Sequence, residues 1–342
     1  MTRSLATQAA RSKTERLAHV GETTGVSRLV RELGAWNGIM AFAYHRVGVV
    51  NPAYDSGVWD ASPAQFERQL RFLKREFDVI GPDDLETVVN AGRGRYVLLT
   101  FDDGYRDNVE EALPILVRHG VPATFFVTTG FLDRREIAWW DEVAWMVHAS
   151  RRRELVLDDW LDRPVSLDPA HRARTIKRLI DLYKRLPRDS AAAFLDALAD
   201  ASGSGRHGRD RADMWMTWDD VRALHAAGMH IGGHTVSHPL LARLSPAEQD
   251  AEIAACKARI ERELGKPMRS FSYPDGGRDC FDEHTRRCLA DHGVEFGFSF
   301  YGGYRRFDDW DPYDIRRRCL GPGVSVERFA LMLTLPQVFA WR

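Results

Sequence analysis

The 342-residue sequence lacks the features that would mark a membrane, secreted or nucleic-acid-binding protein. No apolar run approaches the length that spans a bilayer, and residues 1–34 contain no apolar stretch ahead of a small-residue cleavage site. The formal net charge is −1, from 48 Lys and Arg against 49 Asp and Glu, so no general attraction to nucleic acid or an anionic membrane is indicated. The default location is therefore the cytoplasm, although export by another route leaves no such mark. The expected substrate is neutral or small.

Cysteine is scarce as well, and its spacing contains no metal or redox motif. The four cysteines show no C-x-x-C spacing and fall in apolar or helical stretches, so we expect reduced core thiols rather than a disulfide or a zinc knuckle. No repeat of fixed period is present. With 44% hydrophobic residues, the chain is long enough to bury one large core, or one domain plus an appendage. The cysteines are Cys256, Cys280, Cys288 and Cys319.

Short apolar runs alternate with amphipathic segments along most of the chain. The alternation predicts a parallel α/β arrangement with its βα loops at one end. About seven alternations fit a closed, distorted or incomplete (β/α) barrel better than an open sheet. Two predicted helices begin with a capping box and a proline at the first helical position, after Ser62 and Ser245. The strand-like runs lie at 39–44, 95–99, 122–128, 229–233, 269–274, 294–300 and 315–320.

Two regions do not follow this alternation of strand-like and helical segments. Residues 1–35 are polar and predict a frayed or weakly helical arm ahead of the barrel, which occupies 36–342. Residues 137–213 predict a helical insertion without strands, which could form a lid or a wall of a substrate groove. Its three tryptophans at helical spacing, Trp139, Trp140 and Trp145, fit a buried core as well as a sugar platform.

Chemistry is concentrated in two short motifs that each follow an apolar run. Residues 100–104, T-F-D-D-G, place Asp102 and Asp103 at the carboxyl end of a predicted strand, where α/β folds hold their active sites. An ordinary Asp-Asp-Gly turn is the alternative. His234 and His238 stand four residues apart in the second motif, so both imidazoles can face one point. Together with Asp103 they form a set that zinc accepts while leaving a position open for water.

The motifs resemble those of the NodB-type polysaccharide deacetylases, carbohydrate esterase family 4. Residues 100–104 and 234–239 resemble the first two signature motifs, and F-S-Y-P-D-G at 271–276 resembles the third. The match spans roughly 39–135 and 213–320. The resemblance implies a distorted β/α barrel, a divalent metal, usually zinc, and removal of acetyl groups from N-acetylated sugars.

Carried over to this chain, the resemblance makes Asp103, His234 and His238 metal ligands, Asp102 the general base, and the backbone N–H of Asp275 an oxyanion donor. Elementary chemistry agrees, because hydrolysis of an amide at neutral pH needs an activated nucleophile. A divalent metal lowers the pKa of a bound water to about 7, and the carboxylate beside the ligand is free to accept a proton. The residues expected to contact substrate are Tyr105, Tyr273, Pro274 and Trp310.

The third motif departs from the family at one position. The family usually has an arginine after the motif's phenylalanine, where it pairs with the catalytic base, and this chain has Ser272 there. Arg269 lies on the same strand, but alternation points it to the opposite face. Arg317, in the last predicted strand, is the candidate substitute, with a solvated strand end as the alternative.

The motif that supplies the family's catalytic acid is a second point of departure. The late Leu-x-His motif that donates a proton to the leaving amine is missing after His292. Instead, Y-H-R at 44–46 resembles the N-terminal histidine element of the permuted branch that acts on poly-N-acetylglucosamine. Because the first strand of a closed barrel borders the last, His45 could occupy the same place in space. The alternative is a histidine that merely caps a strand and bonds to backbone.

Three functions are carried forward. The first is a metal-dependent N-deacetylase acting on an N-acetylhexosamine-containing glycan, with an exopolysaccharide or a lipid-linked precursor as the expected substrate. The second is a hydrolase of a non-sugar amide or cyclic imide, which the same metal chemistry could serve. The third is a non-catalytic glycan-binding module, suggested by Ser272 and the missing late histidine.

Overall fold

Seven parallel strands close into a barrel in this computed structural model, which describes residues 13–34, 36–208, 211 and 213–339. Within that part of the chain, β1 pairs with both β2 and β7, and this double pairing closes the ring in the order β1-β7-β6-β5-β4-β3-β2. The predicted (β/α) barrel is thereby confirmed. The strands are β1 (Gly38–Tyr44), β2 (Arg95–Phe101), β3 (Thr124–Val127), β4 (His230–Gly233), β5 (Ser270–Ser272), β6 (Phe296–Ser299) and β7 (Ile315–Cys319).

The strand β1 reads as an apolar run because both of its faces are buried. Every residue of β1 is buried: Phe42 packs with the surrounding helices, while Ala41 belongs to the cluster inside the barrel. Phe126 on β3 and Phe298 on β6 belong to non-adjacent strands, yet their ring centroids lie 5.0 Å apart. Side chains therefore fill the barrel interior, and polar groups collect at its carboxyl end.

Helices surround the barrel, and both predicted N-cap serines cap a helix, but the reciprocal bond of a full capping box forms at Ser245 and not at Ser62. The Oγ atoms of Ser62 and Ser245 accept the N–H groups of Gln65 and Glu248. No helix in the described ranges has the length and apolarity needed to cross a bilayer. The helices are Lys13–Thr23, Val26–Glu32, Pro63–Glu76, Leu85–Ala91, Leu113–His119, Thr129–Arg134, Trp139–Ala149, Arg172–Tyr183, Arg188–Ser202, Trp218–Ala226, Pro246–Leu264, Glu283–Asp291, Val326–Thr334 and Pro336–Phe339.

Short strands add to this framework. Asp78–Ile80 extends the sheet in parallel beside β2, and Tyr304–Arg306 runs antiparallel to β1. Arg46–Val47 pairs with Trp59–Ala61 just after β1, in a stretch that the sequence presented only as a loop.

Residues 13–34 of the predicted arm are helical and docked rather than frayed. Arg31 is only 3% exposed; its guanidinium donates to Glu22 at 2.6 Å, to Thr334 at 2.9 Å and to Glu76 at 3.1 Å. These contacts tie the arm to the helices Pro63–Glu76 and Val326–Thr334. The prediction for residues 1–12 and 35 lies outside the described part of the chain.

The predicted insertion has three helices and an apolar cluster of its own. The cluster includes Val143, Leu179 and Phe194, one from each helix, so the insertion is held by its own core. The strand pair Glu154–Leu155 and Val165–Ser166 was not predicted, because two-residue strands leave no periodic signal. Residues 209, 210 and 212 of the predicted insertion lie outside the described residues.

Candidate active site

Two buried carboxylates stand at the carboxyl end of β2. Asp102 and Asp103 are each 2% exposed, and the N–H of Asp102 donates to the carbonyl of Tyr44 at 2.8 Å. Asp103 has a φ of 73°, and Gly104 continues the turn with a φ of 94°. Aspartate tolerates this left-handed conformation better than most residues. The turn therefore lets two adjacent carboxylates point into the same cavity instead of to opposite faces.

His234 and His238 reach Asp103 from the loop after β4. The Nδ1 of His234 lies 2.7 Å from the carbonyl of Ser272, which fixes the ring so that its Nε2 faces Asp103 Oδ1 at 3.5 Å. The Nε2 of His238 lies 3.4 Å from the same oxygen. Glu252 fixes the loop between the two histidines by accepting the N–H groups of residues 236 and 237 at 2.8 and 3.0 Å.

The spacing of Asp103 from each of the two histidines suits a tetrahedral metal. Metal-ligand bonds of about 2.0–2.1 Å place neighbouring donors about 3.3 Å apart in a tetrahedron, close to the observed 3.4 and 3.5 Å. Asp103 Oδ1 is buried and has no hydrogen-bond partner among the described residues, as expected for an atom whose partner is an ion. Burial and the neighbouring His234 lower the pKa of His238 to about 4, so its ring is neutral and can donate a lone pair.

Arg317 forms a bidentate pair with Asp102. Its Nη1 and Nη2 atoms donate to the two carboxylate oxygens at 2.7 and 2.9 Å, and Nη2 also donates to Ser272 Oγ at 2.7 Å. Burial alone would raise the pKa of Asp102, but the guanidinium charge lowers this pKa to about 2 and keeps the carboxylate ionised. Arg269 points outward and pairs with Glu295 and Asp83, as alternation along its strand predicted.

His45 stands at the end of β1, next to the end of β7. Its backbone N–H donates to Asp60 at 2.6 Å, and its Nδ1 lies 3.3 Å from the same carboxylate oxygen. Burial alone would lower the pKa of His45, but the hydrogen bonds and the charge of Asp60 outweigh it and hold this pKa well above the ordinary value. The protonated form of the imidazole is therefore favoured. The thiol of Cys319 also contacts Asp60.

One cavity of about 480 Å³ collects most of these groups. The insertion contributes part of its wall through Trp139, Trp140 and Ile180, so this region does reach the site. The predicted catalytic and metal-binding residues that line the cavity are His45, Asp102, Asp103, His234, His238, Asp275 and Arg317.

Of the four residues predicted to contact substrate, only Tyr273 lines this cavity. Tyr105 is fully buried, and its hydroxyl donates to Asp141 at 2.7 Å, so it has no surface left for a ligand. Trp310 precedes β7 and packs against the cluster inside the barrel, at the end opposite the carboxylates. Pro274 is buried and does not line the cavity, whereas Tyr273 lines it from a buried position with its hydroxyl bonded to the carbonyl of Tyr313. The position of a residue next to a motif in the sequence therefore did not predict whether its side chain is exposed to the cavity.

Three residues near the site were missed. Asp60 belongs to the short strand Trp59–Ala61, and the extended W-D-A run directly before the capping serine was its one usable signal. Cys319 is half-buried and lines the cavity, unlike the other three cysteines, which are buried as expected. Lys184 forms an ion pair with Asp275, and no sequence pattern indicated that contact.

Comparisons with known proteins identify the family. The family model described as polysaccharide deacetylase matches residues 90–151 and 186–297, about half of the chain, including both carboxylates and both histidines. This protein belongs to the polysaccharide deacetylase family. The match reaches further into the predicted insertion than the motifs suggested and leaves out only 152–185 between its two parts.

Individual relatives are distant. YxkH of Bacillus subtilis strain 168, whose curated name refers to a polysaccharide deacetylase, is 19% identical over 269 residues, 78% of this chain and 67% of its own length. The Streptococcus pyogenes deacetylase PplD, solved with acetate, superposes with a TM-score of 0.57 at 19% identity, covering 86% of this chain and 98% of that one. IcaB from Ammonifex degensii superposes with a TM-score of 0.56 at 18% identity, covering 87% of this chain and 98% of that one. At these identities the likenesses establish the shared fold.

Proposed function

We propose that this protein is a metal-dependent hydrolase that removes N-acetyl groups from an N-acetylhexosamine-containing polysaccharide or its precursor. The observation that carries the proposal is the juxtaposition, in one cavity, of an ionised carboxylate, a three-donor set and a protonated imidazole. Membership of the deacetylase family supports the reaction type. The presence of acetate in the PplD structure is a property of that protein, and it is consistent with an acyl site in this fold.

Asp103, His234 and His238 would hold a divalent metal, and their nitrogen and oxygen donors suit zinc. When bound, the metal would supply Lewis acidity to a water molecule and to the amide carbonyl. Asp102 accepts the proton of the attacking water on its carboxylate. Arg317 holds that carboxylate in place and keeps it ionised until the proton arrives.

Two further groups act on the amide. The backbone N–H of Asp275, held at a φ of 61°, donates to the carbonyl oxygen as negative charge develops there. His45 gives its proton to the leaving amine nitrogen, and Asp60 keeps the imidazole oriented and protonated beforehand. A binding module needs neither a proton acceptor nor a proton donor, so the Asp102–Arg317 pair and His45 favour catalysis over binding alone.

The test is acetate release from chitooligosaccharides and from poly-N-acetylglucosamine. We expect the metal-loaded enzyme to release acetate and Asp102→Asn to lose about 10²- to 10⁴-fold in rate, the usual contribution of general acid–base catalysis. Equal release by both proteins would remove Asp102 as the base. Profiling acyclic amides and cyclic imides in the same assay distinguishes the sugar substrate from the non-sugar alternative.

A further inference from the structure

A second group of close donors stands beside the three-donor set described above. His45, Asp60 and Cys319 bring a ring nitrogen, a carboxylate oxygen and a thiol sulfur within 4.8 Å of one another. None of these atoms belongs to the first set. Nitrogen, oxygen and sulfur together are donors that zinc accepts, whereas magnesium prefers oxygen alone. The second group is therefore a candidate zinc site in its own right.

Neighbouring strands position these donors. His45 directly follows β1, and Cys319 is the last residue of β7, which pairs in parallel with β1. Asp60 lies in the middle of the short strand Trp59–Ala61, which pairs with Arg46–Val47 just after β1. Donors that are held on strands keep their geometry better than donors on loops. The three side chains thus meet because the end of the barrel brings their strands together.

Asp60 is bonded to both of the other donors. Its Oδ2 lies 3.3 Å from Nδ1 of His45, and the Cys319 thiol donates to its Oδ1. A metal ligand must be deprotonated, so binding would release the thiol proton and the Nδ1 proton of the imidazolium. One divalent cation then replaces two protons, and the net charge of the group does not change. The exchange therefore buries no additional charge around Asp60, which is only 1% exposed.

The group is reached from the catalytic cavity. His45 and Cys319 both line the 480 Å³ cavity, and Asp60 stands behind them. Zinc bonds of about 2.0 Å to nitrogen and oxygen and about 2.3 Å to sulfur place tetrahedral donors about 3.3–3.6 Å apart. The 3.3 Å between Nδ1 and the carboxylate already agrees with this separation. The thiol is in closer contact with Asp60 and would have to move outward, toward the cavity, as its proton leaves.

The two sites should fill in a fixed order. Asp103 Oδ1 has no hydrogen-bond partner within the described part of the chain, so it is ready to accept an ion. In the second group the carboxylate is bonded to both other donors, and two protons must leave before an ion can bind. One equivalent of metal should therefore occupy the site at Asp103, and only an excess should reach the second group. Substitutions in the second group then leave the content of one ion per chain unchanged.

We propose that His45, Asp60 and Cys319 form a second zinc site, which inhibits the enzyme when it is filled. The inhibitory effect rests on the proposed function, in which His45 gives a proton to the leaving amine. With a metal on Nδ1 the imidazole is neutral and retains only its Nε2 proton, so it is a much poorer acid. Excess zinc thus blocks the proton donor while the ion in the first site stays bound.

A cobalt titration of the chelated full-length protein tests the site without turnover. Co²⁺ bound to a thiolate gives a sulfur-to-metal charge-transfer band in the near ultraviolet, which nitrogen and oxygen donors do not give. We expect no such band up to one equivalent and its appearance with the second. Cys319→Ser should lose the band. Cys288→Ser is the matched control and should keep it, because Cys288 belongs to another group of close donors, away from the cavity.

Zinc inhibition of acetate release tests the effect on catalysis, with each rate compared with that of the same protein at one equivalent of Zn²⁺. Wild-type activity should fall about 10²-fold or more in saturating Zn²⁺, the usual contribution of a general acid. Cys319→Ser should require at least about tenfold more Zn²⁺ for half inhibition, because a hydroxyl is a much poorer zinc ligand than a thiolate. An excess of Mg²⁺ should not inhibit, because this ion prefers oxygen ligands.

The two measurements separate the site from the function. A cobalt band that Cys319→Ser loses, in a protein that releases no acetate, would overturn the proposed function and support the metal site. Absence of the band in excess cobalt, or a band that Cys288→Ser loses and Cys319→Ser keeps, would overturn the site. Equal zinc inhibition of the wild type and Cys319→Ser would overturn the inhibitory role.

Discussion

Arg317 on β7 holds both carboxylate oxygens of Asp102 on β2, at 2.7 and 2.9 Å, although each of these strands borders β1 and not the other. Ser272, where relatives usually carry the arginine, places its hydroxyl 2.7 Å from the same guanidinium. In this chain the guanidinium that pairs with Asp102 therefore comes from β7, whereas the family's usual position for it corresponds to Ser272 on β5. Asp102 thus has an arginine partner, although that arginine occupies a different position in the sequence.

Exchanging the two positions should restore part of the function. Arg317→Ser removes the charge that holds Asp102, and Ser272→Arg in the same protein offers a guanidinium from the other side. We expect kcat for acetate release to fall at least 10²-fold in the single variant and to recover at least tenfold in the double variant. No recovery would mean that position 272 cannot reach Asp102 in this barrel.

The same pair should matter for stability. Both side chains are almost completely buried, so Arg317→Met leaves an uncompensated charge and should lower the free energy of unfolding by about 3–5 kcal/mol. Urea unfolding measures this loss. In an Asp102→Asn background the same Arg317 substitution should cost much less, because no carboxylate remains to be neutralised. If the Arg317 substitution lowered the free energy of unfolding equally in both backgrounds, the loss would not come from the pairing of Arg317 with Asp102.

His45 and Asp60 give a prediction about the pH dependence of the rate. His45→Ala should abolish turnover but leave the metal content unchanged, because His45 belongs to a separate group of close donors, with Asp60 and Cys319, and not to the proposed three-donor set. Asp60 helps to hold the pKa of His45 above its ordinary value, so the protonated acid persists to higher pH. Asp60→Asn should therefore move the alkaline limb of kcat/KM to lower pH. An unmoved limb, or unchanged kcat in His45→Ala, would place the acid elsewhere.

The sequence predicted the barrel and the residues that line its cavity because local patterns carry both. The fully buried strand β1 reads as an apolar run, Asp102 and Asp103 follow the buried end of β2, and His234 and His238 follow the buried end of β4. The contacts that it could not predict join distant segments through single side chains. The ion pair of Lys184 with Asp275, 91 residues away in the chain, leaves no periodic signal. The burial of Tyr105 likewise depends on Asp141 and Trp215, which only the folded chain brings to it.

Asp141 should make the protein less stable as pH rises. Burial raises the pKa of Asp141 to about 6, outweighing the hydrogen bonds that Ser56 and Tyr105 donate to it. Between an unfolded pKa of 3.8 and about 6, the folded protein binds a proton that the unfolded chain has lost. This contribution is complete below pH 3.8 and is lost as pH rises through 6, by about 3 kcal/mol at most. Asp141→Asn should flatten this part of the curve of unfolding free energy against pH, and an unchanged slope would contradict the raised pKa.

Metal removal should abolish activity and lower stability together. Chelation leaves Asp103 Oδ1 buried without a partner, so adding Zn²⁺ at about 100 times its dissociation constant should raise the unfolding free energy by about 2.7 kcal/mol. Asp103→Asn should lose both this stabilisation and the metal content measured by elemental analysis. The control is His292→Ala, because Asp250, Cys288 and His292 form another group of close donors away from the cavity. Retention of one metal ion per chain in His292→Ala and its loss in Asp103→Asn would assign the ion to the barrel site; the opposite pattern would contradict that assignment.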